Sequence, residues 1–144
     1  MPADATPTPR RLFLIYLSVI VPFLMADAVW LSTMMDRLYR PAFGAMLADS
    51  PVLWAAIAFY LIYPAGIVIF ATLPALRAGS CWQAARLGAL FGGFCYATYD
   101  LTNQATLRGW PATVTLADIV WGMFATGLAA TVGYAVQSRF FTPR

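Results

Sequence analysis

The sequence predicts an all-α integral membrane protein, a single bundle of four transmembrane helices with both termini on the cytoplasmic side. Three observations lead there. Hydrophobic residues make up 61% of the chain and charged residues 10%, with a mean hydropathy of +0.71, a balance outside that of soluble globular domains. Four stretches, 12–34, 52–73, 84–104 and 116–136, reach the ~20 apolar residues that one hydrocarbon crossing needs. An inside N-terminus puts Arg10, Arg11, Arg77, Arg86, Arg139 and Arg144 on the cytoplasmic face and Arg37, Arg40 and Arg108 outside, which is the sense of the positive-inside rule. Short loops and two small tails make up the rest, so residues 1–144 read as one membrane domain of a multi-pass protein.

The first span follows Arg10-Arg11 as a signal peptide would, but its ~23 apolar residues exceed the ~7–15 of a signal h-region, and it reads as retained. Ser50-Pro51 reads as the start of the second helix, with Ser50 as N-cap and Pro51 in the first helical position. Pro22 and Pro64 lie inside spans and are expected to kink them, with Tyr63-Pro64-Ala65-Gly66 opening a gap. In the third span Gly88 and Gly92 form a GxxxG that lets a neighbouring backbone approach closely. Thr115-Leu116-Ala117-Asp118 fits a capping box at the start of the fourth.

Several chemistries are excluded by what is missing. The chain has no histidine, lysine or glutamate, so histidine-ligated metals and haem, a retinal Schiff base and glutamate acid–base chemistry are absent from it. No metal or other cofactor is expected. Cys81 and Cys95 are fourteen residues apart, roughly 20 Å along a helix, too far for a disulfide. No basic run points to nucleic acid.

Asp4, Asp36 and Asp49 fall outside the spans and read as solvated, whereas Asp27, Asp100 and Asp118 fall within them. A charge near the bilayer centre costs at least ~2.5–3.5 kcal/mol, so each of these three needs a reason. All three belong to the outer half. Ala26-Asp27-Ala28-Val29-Trp30 is echoed by Ala117-Asp118-Ile119-Val120-Trp121, which sets an Asp and a Trp on one face of two antiparallel helices. Tyr96, Tyr99, Asp100 and Asn103 form a stripe on the third helix, and Asp118, Trp121, Gly122 and Ala125 share a face on the fourth. The expected site is an outer-side pocket of Asp27, Trp30, Tyr96, Tyr99, Asp100, Asn103, Asp118 and Trp121. Its acids are expected to share a proton or to pair with Arg37, Arg40 or Arg108. Structural readings stand beside this one: the tryptophans as interface anchors, Asp118 as a helix cap, and the acids as interhelical glue.

The early Asp-x-x-Trp, the loop LADSP, the segment YDLTNQATLRGWP and the closing ADIVWG together resemble the bacterial small membrane proteins of domain of unknown function family 2177. The likeness runs from about residue 12 to 136, with no departure at those motifs. It implies a four-helix inner-membrane protein and specifies no reaction. Three functions follow from the residues. The first is binding, with transport as an extension, of a small molecule or lipid headgroup. The second is an intramembrane aspartate-dependent enzyme acting on lipid, although the Asn-Arg-Gly and Asn-x-x-Asp elements of lipoprotein signal peptidase are missing. The third is an accessory subunit of a larger membrane complex. The expected partners are membrane lipids and a second copy through the GxxxG, or a larger assembly.

Overall fold

Residues 9 to 141 run through four long helical segments in a computed structural model that describes residues 7–141. Asp4 and Arg144 lie outside the described residues. The first segment is α1 (Pro9–Met34), which Thr8 caps by accepting from the Arg11 N–H. It continues through a π-helical turn (Met35–Tyr39) into the short α2 (Arg40–Phe43). The second comprises α3 (Leu53–Ile67), a π-helical turn (Val68–Thr72) and α4 (Leu73–Ala78). The third is α5 (Cys81–Thr106) and the fourth α6 (Ala112–Phe141).

Both π-helical turns end two residues before a proline, Tyr39 before Pro41 and Thr72 before Pro74. A proline ring clashes with the carbonyl four residues back, and widening the turn there moves Arg37 and Phe70 out of its way. The chain stays helical at the cost of one wider turn. Pro64 sits within α3, and the turn that follows it is the second π-helical one.

Three segments, Pro9–Met46, Leu53–Ala78 and Ala112–Arg139, are long and apolar enough to cross a membrane. α5 is 26 residues long but more polar along its length. It packs antiparallel on α6 over the longest contact in the molecule. Gly88 makes that approach possible, because a Cβ there would fall 2.8 Å from the Thr126 carbonyl oxygen. Gly92 is set against the Gly122 backbone, and Gly122 against the Tyr96 ring. The GxxxG is therefore spent inside the bundle and not presented to a second copy, because small residues on α6 supply the complementary groove. Ile15, Val19 and Phe23 of α1, Ile67, Val68 and Ala71 of the second segment and Ala125, Ala129 and Ala130 of α6 fill the core. Most remaining large apolar residues, such as Phe13, Trp54, Ile62 and Phe94, are exposed, as lipid-facing residues are.

Two expected helix starts are placed differently. α3 begins at Leu53 with Val52 as an N-cap that offers no side-chain bond, so Ser50-Pro51 stays in the loop. α6 begins at Ala112, directly after Pro111, whose carbonyl accepts from the Val114 and Thr115 N–H groups. The Pro111 carbonyl therefore starts the helix, and Thr115 is already inside it. Its hydroxyl accepts instead from the Trp110 indole at 3.1 Å, and Asp118 is left free of a capping role.

Candidate functional site

At the end of the bundle away from residues 9 and 141, the helices separate around two carboxylates. Asp27, buried on α1, accepts the Tyr60 hydroxyl on one oxygen and the Trp121 indole N–H at 3.2 Å on the other. Asp118, buried on α6, accepts the Tyr39 hydroxyl through Oδ1. Tyr39 in turn accepts the Trp30 indole N–H at 2.8 Å. The Trp30 and Trp121 rings stack with centroids 4.4 Å apart and planes within 8°. The two Asp-x-x-Trp echoes thus interlock: each tryptophan serves the other helix's aspartate, Trp121 directly and Trp30 through Tyr39. Asp27 and Asp118 share no direct hydrogen bond among the described residues.

Around these carboxylates lies a cleft in two joined parts. One, of about 380 Å³, is lined by Phe59, Tyr63, Cys95, Tyr96, Tyr99 and Asp118. The other, of about 370 Å³, reaches Asp27, Trp30, Tyr39, Tyr60, Trp110 and Trp121 and shares Phe59, Tyr96, Tyr99 and Asp118 with the first. Both volumes fall in the range of small-molecule sites. The first part lies between α3 and α5, which meet lower down, where Phe91 packs on Gly66. Toward the cleft they part, and Tyr99 at its rim is 59% exposed. Tyr63 fixes the inner wall, its hydroxyl 2.8 Å from the Thr126 Oγ1 and its ring stacked on Phe59 at 5.3 Å.

The segment from Tyr99 to Pro111 closes the corner between α5 and α6. Gly109 takes a positive φ of 76°, a conformation that favours glycine, and the chain reverses there. Trp110 then packs on Phe43 at 4.9 Å and edge-on to Tyr99 at 5.9 Å. Asp100 does not line either part of the cleft. It lies in the α5–α6 seam on the Gly88, Gly92, Tyr96 line, fully buried, and neither of its oxygens accepts a hydrogen bond among the described residues. Asn103, partly exposed, is not a lining residue either. The arginines stay out: Arg40 pairs with Asp36 at 2.8 Å on the surface, and Arg37 and Arg108 are exposed.

The family model described as predicted membrane protein (DUF2177) matches residues 12–135. The chain belongs to this family. Comparison with curated proteins and with solved structures returned no match. The DUF2177 match contains all the cleft residues, from Asp27 to Trp121.

Of the residues singled out in the sequence, Asp27, Trp30, Tyr96, Tyr99, Asp118 and Trp121 are gathered around the cleft, Asn103 stands behind it with its side chain hydrogen-bonded to Tyr99, and Asp100 is set apart. The sequence reading missed Tyr39, Tyr60, Tyr63, Phe59 and Trp110. Tyr39 lies beyond the end of the first apolar run, and Tyr60 and Tyr63 are embedded in one. The available signal was the i, i+3 spacing of Tyr60 and Tyr63, which puts two hydroxyls on one face of a membrane helix where each needs a partner.

Proposed function

We propose that this multi-pass membrane protein binds a small molecule or lipid headgroup in the cleft between α3, α5 and α6. The observation that carries the reading is a cavity of about 380 Å³ whose lining includes Asp118, a carboxylate with one oxygen held by Tyr39 and no hydrogen-bond donor from the described residues on the other. Pre-set polar groups in a mostly aromatic cavity are the usual make-up of a ligand site. The parting of α3 and α5 supports access from the bilayer side. Separate tyrosine partners for Asp27 and Asp118 favour binding over an enzyme in which two carboxyls share a proton.

The reading includes four crossings. α3 and α4 end near the bundle end that holds residues 9 and 141, and α6 starts at the other. α5, at 26 residues and ~39 Å of helical rise, carries the chain between them. The end holding residue 9 has Arg10, Arg11, Arg77, Arg86 and Arg139 among the described residues, against Arg37, Arg40, Arg108, Asp36 and Asp49 at the cleft end. That asymmetry supports both termini inside and a cleft facing outward across the inner membrane.

Native mass spectrometry of protein extracted gently from its membrane tests the binding. The wild type is expected to carry a lipid or small-molecule adduct that is lost in Cys95→Trp, which fills the cleft. Identical adducts on both proteins, or none on either, would refute the reading.

A further inference from the structure

We propose that the ligand of this cleft carries a methylated ammonium group, on a lipid headgroup or on a free small molecule. The inference rests on the binding reading above and names its chemical class. Four aromatic side chains, Phe59, Tyr63, Tyr96 and Tyr99, wall one cavity with Asp118. Aromatic faces attract a cation through their quadrupole, most strongly where water is excluded, and rings surrounding a methylated ammonium are the recurrent form of that recognition. An inorganic cation would need a shell of oxygens, and the aromatic walls do not supply one. An anion would face Asp118 and, in the joined part, Asp27.

Charge balance points the same way. The carboxylates are supplied with neutral donors only, from Tyr39, Tyr60 and Trp121. The chain has no lysine or histidine, and Arg37, Arg40 and Arg108 are exposed away from the cleft. Buried carboxylates are ordinarily paired with a cation, and here the described residues bring none to Asp27 or Asp118. A bound ammonium would provide it.

Cys95 lines the same cavity and is partly accessible, which makes it a built-in reporter once the exposed Cys81 is replaced in a Cys81→Ser background. The protein is placed in phosphatidylglycerol nanodiscs and labelled with a trimethylammonium methanethiosulfonate or its sulfonate counterpart, each rate normalised to a free thiol. The expected result is a preference of about tenfold or more for the cationic reagent, cut severalfold by Asp118→Asn and by Tyr99→Leu. Choline should protect Cys95 and shift tryptophan emission saturably, whereas 3,3-dimethylbutanol, its uncharged carbon analogue, should do neither. Protection by phosphatidylcholine in the disc without free choline assigns the group to a lipid, and protection by free choline alone assigns it to a soluble molecule. No charge preference, protection by the uncharged analogue equal to that by choline, or no protection and no emission change with either ammonium source would overturn the ammonium assignment. If the wild-type adduct is still lost in Cys95→Trp, binding in the cleft survives that outcome. If there is no such adduct, the binding reading falls as well.

Discussion

Tyr39 is the residue on which the most depends, since it accepts from Trp30 and donates to Asp118 across 79 positions of sequence. Tyr39→Phe leaves an indole N–H and a buried carboxylate oxygen without partners, a loss of roughly 1–3 kcal/mol. Thermal unfolding in detergent should show a clearly lower Tm, with Tyr60→Phe lower for the same reason at Asp27. Asp100 should behave oppositely. A fully buried carboxyl with no hydrogen-bond partner among the described residues opposes folding, so Asp100→Leu is expected to hold or raise the Tm, and a marked fall would reveal an unrecognised partner. The sequence made Asp27, Asp100 and Asp118 conspicuous, because acids stand out in an apolar run. It could not rank them, since all three sit at similar depth. Which one reaches the cleft depends on rotation about the helix axis and on tyrosines that look ordinary in an apolar run.

At the level of elements, the α5–α6 seam is set by backbone proximity. Gly92→Ala would press a methyl group onto the Gly122 backbone, which cannot yield without parting the helices. A cost of about 1–3 kcal/mol or more is expected. Gly93→Ala is the matched control, because its methyl meets only the flexible Met123 side chain at 3.0 Å. Circular-dichroism melts of the two variants should differ by several degrees, and equal melts would mean that the seam is looser than drawn. The GxxxG announced a close approach but not with whom, since the pattern is the same for a neighbouring helix and for a second copy. Helix positions were legible from hydropathy, and their ends were not. α1 starts three residues before the apolar run does, at Pro9, and α6 starts four before, at Ala112. The polar flanks can stay helical in the headgroup region, where hydropathy no longer marks them.

For the whole molecule, the proposed four crossings and their direction rest on α5 lying along α6 and on the arginines at the end that holds residue 9. Single cysteines at Ala48 and Ala78, both exposed, read this out in a chain free of native cysteines. An impermeant reagent added to intact cells should label the first and spare the second, and the reverse would invert the topology. The central claim is that Asp27 and Asp118 are held for a ligand and do not serve as helix glue. The double variant Asp27→Asn, Asp118→Asn tests it most directly, because the amide oxygen can still accept from the Trp121 indole at position 27 and from Tyr39 at position 118, and the Tyr60 hydroxyl can turn to accept from the amide NH2 at position 27, while the charge is removed. Native mass spectrometry and thermal melts are run on the same preparation. The account predicts a Tm close to the wild type with the bound adduct gone. An adduct retained at wild-type occupancy, or a fold lost together with it, would contradict the claim.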